Sequence, residues 1–125
     1  MNTILWIAQV LLAIVFVNSG VNKSTLSEQK LVAKGQTGVA GYSAPVIKFI
    51  GVSELAGTVG IIVPWWLQIA PVLTPITAVC FAAIMLLAAP IHYRRREPQN
   101  VAINSVIFLL SVFVAWGRFA SLCNV

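Results

Sequence analysis

Acidic side chains are almost missing from this chain. Aspartate is absent, and glutamate occurs three times, as Glu28, Glu54 and Glu97. Charged residues make up 9% of the sequence against 59% hydrophobic, whereas a soluble domain carries about 25% charged residues. That shortage excludes an ordinary water-soluble fold: most side chains must face lipid or other apolar helices. Cysteine is scarce too. Cys80 and Cys123 form no C-x-x-C and stand in no Cys/His cluster, which argues against zinc. Cys80 lies ~13 Å into its span and Cys123 near the end of another, so no bridge is expected between them, since one needs Cα atoms within about 7 Å. The glycines follow no strand and form no phosphate loop. Internal repeats and low-complexity tracts are absent.

What remains is hydrophobic length. At 125 residues the chain reads as one domain. Apolar runs cover residues 4–21, 46–66, 72–91 and 101–122. Each is about 18 to 22 residues, enough at 1.5 Å per residue to cross a bilayer core of roughly 30 Å. The first run has no basic segment before it and no clear small-x-small cleavage site after it, so it reads as a span and not a signal peptide. The expected fold is all-α, an integral membrane four-helix bundle.

The net charge of +5 is distributed by side and does not suggest nucleic acid. Lys23, Lys30, Lys34 and Lys48 lie in or beside the first loop, and Arg94, Arg95 and Arg96 lie in the third. Four spans put those loops on one side, opposite Arg118 and both termini. Positive charge collects on the cytoplasmic side, so the expected orientation is N-out/C-out.

The first loop holds Thr25-Leu26-Ser27-Glu28, a capping-box pattern. It predicts a short interfacial helix over residues 26–34, stopping at Gly35, with Leu26, Leu31 and Val32 on the membrane surface. Residues 36–41 are glycine-rich and read as a flexible link, after which Ser43 and Pro45 open the second span. That span carries Ser53, Ala56, Gly57 and Gly60 at small-xxx-small spacings, which let helix backbones approach closely in lipid. The third span is expected to start at Pro71, and its Pro90 can kink the helix just before His92. In the fourth span Asn104, Ser111 and Arg118 recur every seven residues and form a polar stripe on one face.

Glu54 is the outstanding residue. A carboxylate inside an apolar span costs about 2.5 kcal/mol or more on insertion scales and is usually paired or functional. It lies ~13 Å in from the loop side and Asn18 ~7 Å in from the same side. His92 and Asn104 fall in that half too, with Lys23 at its mouth. Such a group can bind a polar head group, pass protons or orient a quinone carbonyl. Each member also has a plain packing role. Glu54 can be a neutral acid bonded to Asn18 or Thr58. Asn18 and Asn104 can join helices. Lys23 can snorkel to the surface, and His92 can be interfacial. Arg118, near Trp116, reads as a ligand contact or an outer-leaflet anchor, and Trp6, Trp65 and Trp66 as an aromatic belt.

These residues resemble a known family. Asn18-Ser19-Gly20 followed by Lys23 is similar to the first-helix ending of DoxX-like membrane proteins. Phe49-Ile50-Gly51 with Glu54-Leu55-Ala56-Gly57 and Gly60 looks like their second-helix motif. His92, Arg94 to Arg96 with Glu97, Asn104 and Gly117-Arg118-Phe119 resemble the end of their third helix and their fourth. The resemblance covers nearly the whole chain and implies a four-helix membrane bundle. Some relatives are linked to thiosulfate:quinone oxidoreduction or to membrane oxidoreductase complexes, and others to assembly of membrane proteins. This chain lacks the cysteine pairs of quinone-linked thiol enzymes of similar build, which argues against dithiol chemistry.

Three functions are therefore in play. The first is a small protein of the bacterial inner membrane that binds a quinone- or lipid-like molecule as a redox-associated subunit. Glu54 and His92 would act on that molecule, and Asn18, Lys23, Asn104 and Arg118 would contact it. No redox centre is present in the sequence, so electrons would come from a membrane or soluble oxidoreductase partner. The second is an assembly or interaction factor that uses the small-residue face, either on another protein or in a homo-oligomer. The third is a proton-coupled transporter, ranked last because small four-helix exporters carry their acid in the first helix.

Overall fold

The computed structural model describes residues 2–34 and 41–123, and these are helical throughout apart from short turns. The helices are α1 (Asn2–Thr25), α2 (Glu28–Ala33), α3 (Ala44–Leu67), α4 (Leu73–Arg94) and α5 (Pro98–Cys123). All but α2 are long and apolar enough to cross a membrane. The expected stop at Gly35 and most of the glycine-rich link (36–40) lie outside the described residues.

The first loop differs from the capping-box expectation. Thr25 is the last residue of α1, and its hydroxyl donates back to the Val21 carbonyl (2.7 Å). Ser27 is the N-cap of α2 and accepts from the Lys30 amide (3.3 Å). The Glu28 carboxylate instead accepts the Gly41 amide (3.0 Å). Leu31 does not lie on the membrane surface: it is fully buried against Ile47, with Leu26 beside it. Burying a leucine contributes about 1.5–3 kcal/mol, enough to turn the short helix inward.

The turn between α3 and α4 is tight. Gln68 and Ala70 adopt positive φ (55° and 49°), so the chain reverses before Pro71 can start a helix, and α4 begins at Leu73. Pro64 lies inside α3 and cannot donate to the Gly60 carbonyl. The Thr74 hydroxyl of α4 fills that vacancy at 3.0 Å, and Gln9 of α1 donates to the next carbonyl, Ile61, at 2.7 Å. In lipid no water can satisfy such a carbonyl, so a helix-interior proline needs neighbours of this kind.

The four long helices form a ring of two hairpin-like pairs. α1 packs closely along α3 and α4 along α5, with lighter contact between α3 and α4 and between α1 and α5. Leu12, Phe16, Ile61, Ala78, Phe81 and Val114 fill the centre, where the Phe16 and Phe81 rings stack at 3.8 Å. Cys80 and Cys123 are exposed free thiols. The small residues of α3 divide. Gly51, Gly57 and Gly60 face neighbours, whereas Ser53 and Ala56 are exposed. A Cβ on Gly57 would stand 2.5 Å from the Phe81 ring, and that ring is held by Phe16. Gly57→Ala is therefore expected to destabilise by about 1–3 kcal/mol, the usual cost of overpacking. Ala56→Ser on the exposed side should leave the thermal unfolding midpoint in detergent unchanged.

Candidate functional site

Glu54 is completely buried, as expected, but its partner is neither Asn18 nor Thr58. The Lys23 ammonium donates to Glu54 Oε1 at 2.6 Å. Thr58 donates to the backbone carbonyl of Glu54, and Asn18 is exposed. The local cause is Gly51. The bare backbone there admits the Lys23 stem and the end of α1: a Cβ on Gly51 would stand 2.8 Å from Lys23 Cβ. Glu54 lies three residues further along α3, on the same face. Lys23 is thus drawn into the bundle, with its side chain 14% exposed, and is not a snorkelling anchor. The second carboxylate oxygen, Glu54 Oε2, is buried without a hydrogen bond.

A cavity of about 380 Å³ opens beside this pair. α1 contributes Phe16, Asn18, Ser19 and Lys23 to its lining, and α3 contributes Ile50 and Glu54. The wall from α4 is mostly apolar, with Ile84, Met85, Ala88 and Ile91 before His92. α5 adds Asn100, Ile103, Asn104 and Ile107. The cavity thus gathers five of the six residues singled out from the sequence. His92 Nδ1 lies 3.1 Å from Glu97 Oε1 across the α4–α5 turn, with Arg95 3.6 Å from the other Glu97 oxygen. Asn104 is buried and donates to the Met85 carbonyl at 2.5 Å, pinning α5 to α4.

The sixth residue, Arg118, is elsewhere. The seven-residue stripe is real, since Asn104, Ser111 and Arg118 are all buried. It runs the length of α5, however, so Arg118 ends at the opposite end of the bundle. It is 1% exposed, which rules out the surface-anchor expectation. Its Nε donates to Gln9 Oε1 (2.6 Å) and its Nη1 to Asn2 Oδ1 (2.7 Å). The guanidinium carbon lies 4.4 Å from the centre of the Trp65 ring and 5.4 Å from that of Trp6. Those two indoles therefore face a cation inside the protein and do not only line a lipid interface. Gln9 was missed by sequence reasoning. The signal was available: it is the only polar residue between Ile4 and Val17.

Four membrane-length helices, a buried ion pair and an apolar-walled cavity with polar groups at one end define a small membrane-embedded helical protein with an internal cleft. A family model described as the DoxX-like family matches residues 7–114, and the chain belongs to that family. No curated protein and no solved structure matches it.

Proposed function

We propose that this DoxX-like protein binds a membrane-dissolved molecule with a small, neutral, polar head, and that it serves as a redox-associated membrane subunit. The carrying observation is the pair at the cavity wall. Lys23 and Glu54 cancel each other's charge, so a charged head group would gain nothing net from them. Both residues line the cavity, so a molecule there meets an ammonium donor and a carboxylate whose buried Oε2 has no hydrogen bond within the protein. A carbonyl can accept from Lys23, and a hydroxyl can donate to Glu54. A quinone and its quinol carry these two groups on one ring, and the apolar walls and the Phe16–Phe81 stack suit that ring. In this reading Glu54 exchanges the proton, His92 with Glu97 stands at the mouth, and Asn18 and Asn104 frame the head. Arg118 holds the opposite end and does not touch the ligand. Electrons come from a membrane or soluble oxidoreductase partner, because this chain's residues supply none. The cavity end, rich in lysine and arginine, faces the cytoplasm of a bacterial cell, with both termini outside.

The test is purification in mild detergent followed by solvent extraction and mass spectrometry. Quinone at about one per chain from wild type, and its loss from a folded Glu54→Gln variant, are the expected results. Extracts with no quinone or comparable neutral-headed molecule would sink the proposal.

One observation favours a second reading, an assembly or interaction factor. Ser53 and Ala56 are exposed on α3 beside Phe49 and Val52, which are 74% and 59% exposed. Small residues between large apolar ones suit close approach of another membrane helix. Recovery of a stoichiometric protein partner, lost in Ser53→Leu and Ala56→Leu, would support it.

A further inference from the structure

The side-chain contacts of the bundle divide sharply by position. Towards the end carrying the chain termini, the α1–α3 pair and the α4–α5 pair are joined repeatedly. Thr74 bonds the Gly60 carbonyl, and Gly57 and Gly60 receive Phe81 and Thr77. Gly117 receives Leu5, and Arg118 bonds Gln9 and Asn2. The Phe16–Phe81 stack adds a contact between the pairs near mid-membrane. Beyond it, at the cavity, Lys23 bonds Glu54 within the first pair, and Asn104 to Met85 and His92 to Glu97 are bonds within the second. The cavity lies between the two pairs and is lined by all four long helices. Its rim includes side chains that face outward at membrane depth: Val15 of α1 at 39% exposed, Ile103 of α5 at 50% and Leu87 of α4 at 75%.

From this we infer that the molecule is a clamp, closed at the terminal end and splayed at the other, whose cleft opens sideways to the bilayer past the outward-facing Val15, Leu87 and Ile103. The occupant enters from lipid and not from water. It is a neutral-headed molecule with one hydrocarbon tail, and the tail leaves through this gap. Three features require that path. The Phe16–Phe81 stack blocks passage towards the terminal end. At the loop end the cavity is lined by the polar Lys23, His92 and Asn100, which a hydrocarbon tail avoids. Asn18 is exposed within a membrane span, at the rim of the cavity. A polar side chain facing lipid is costly, and at a portal rim it can meet a head group on its way in. The inference extends the binding reading above to the route of entry.

The route can be measured without any ligand. In a Cys80→Ser, Cys123→Ser background, single cysteines at Ile107, Val106 and Val114 carry nitroxide labels in a bilayer. Ile107 lines the cavity, Val106 is 57% exposed to lipid, and Val114 is fully buried. Collision with oxygen, which concentrates in lipid, is compared with collision with a water-soluble nickel chelate. The Ile107 label is expected to meet oxygen severalfold more often than the Val114 label, approaching Val106, and to meet the chelate hardly at all. A label at Ala88 on the facing wall should agree and guards against a local disturbance at Ile107. Frequent chelate collisions would mean a water-filled entry, and oxygen contact as low as at Val114 a closed bundle. Either overturns the inference. Because no ligand takes part, an extract without quinone would defeat the proposed occupant and leave this result standing.

Discussion

Glu54→Ala is expected to be among the most damaging single substitutions in the protein. It leaves the Lys23 ammonium inside the bundle without its counter-charge, and removing one member of a buried pair costs about 3–5 kcal/mol. Lys23 retains a little exposure (14%) near the end of α1, so its ammonium can swing towards the head groups and the lower figure applies. Two companion variants identify the cause. Glu54→Gln keeps the shape and still accepts from Lys23, so its loss should be smaller. Lys23→Met with Glu54→Leu removes both charges and should restore most of the stability, since a buried ion pair is often no better than well-packed apolar residues. Under the proposed function the double variant should nevertheless retain no ligand. Unfolding in detergent and mass spectrometry of extracts would measure both effects. A double variant as unstable as Glu54→Ala would show that lost packing, and not the stranded charge, is responsible.

The second large effect lies at the other end. Arg118→Ala removes the group that ties α5 to α1 and fills the space between Trp6 and Trp65. A buried acceptor left unsatisfied costs about 1–3 kcal/mol. A desolvated cation–π contact is worth about 2 kcal/mol. Together they predict a loss of about 3 kcal/mol or more. Arg118→Lys should rescue little, because an ammonium has no planar fork with which to reach both Gln9 and Asn2 while stacking on an indole. The native tryptophan emission should shift, since Trp6 and Trp65 report directly on the site. Folded Arg118→Met protein should keep whatever occupies the cavity at the far end. If it loses that occupant while remaining folded, Arg118 belongs to the ligand site and the clamp description fails.

The two residues differ in how plainly they could be read from the chain. Glu54 stood out because one carboxylate in an apolar run has a cost that composition alone reveals. Its burial was legible from the glycines around it. Lys23 was misjudged, because a lysine near a helix end has a cheap alternative in the head groups and nothing local says which way it turns. Arg118 was placed on the correct face by its seven-residue spacing from Asn104 and Ser111. Its depth and partners were not legible, because Gln9 is 109 residues away in sequence. The Thr25 capping box failed for a different reason. α1 continued four residues past the end of the apolar run at Val21 and claimed Thr25 for its own last turn, leaving Ser27 to cap α2.

The spans, the gathering of most basic residues into two loops and the residues out of place in lipid were determined by the sequence alone. Those properties follow from hydrophobic length and from the cost of charge in hydrocarbon, and both act residue by residue. Only the tertiary structure decided that Lys23 neutralises Glu54 beside a cavity and that Arg118 closes the opposite end. Those outcomes depend on how each helix is rotated against its neighbours. That setting comes from close contacts at Gly51, Gly57 and Gly117, which no single segment specifies by itself.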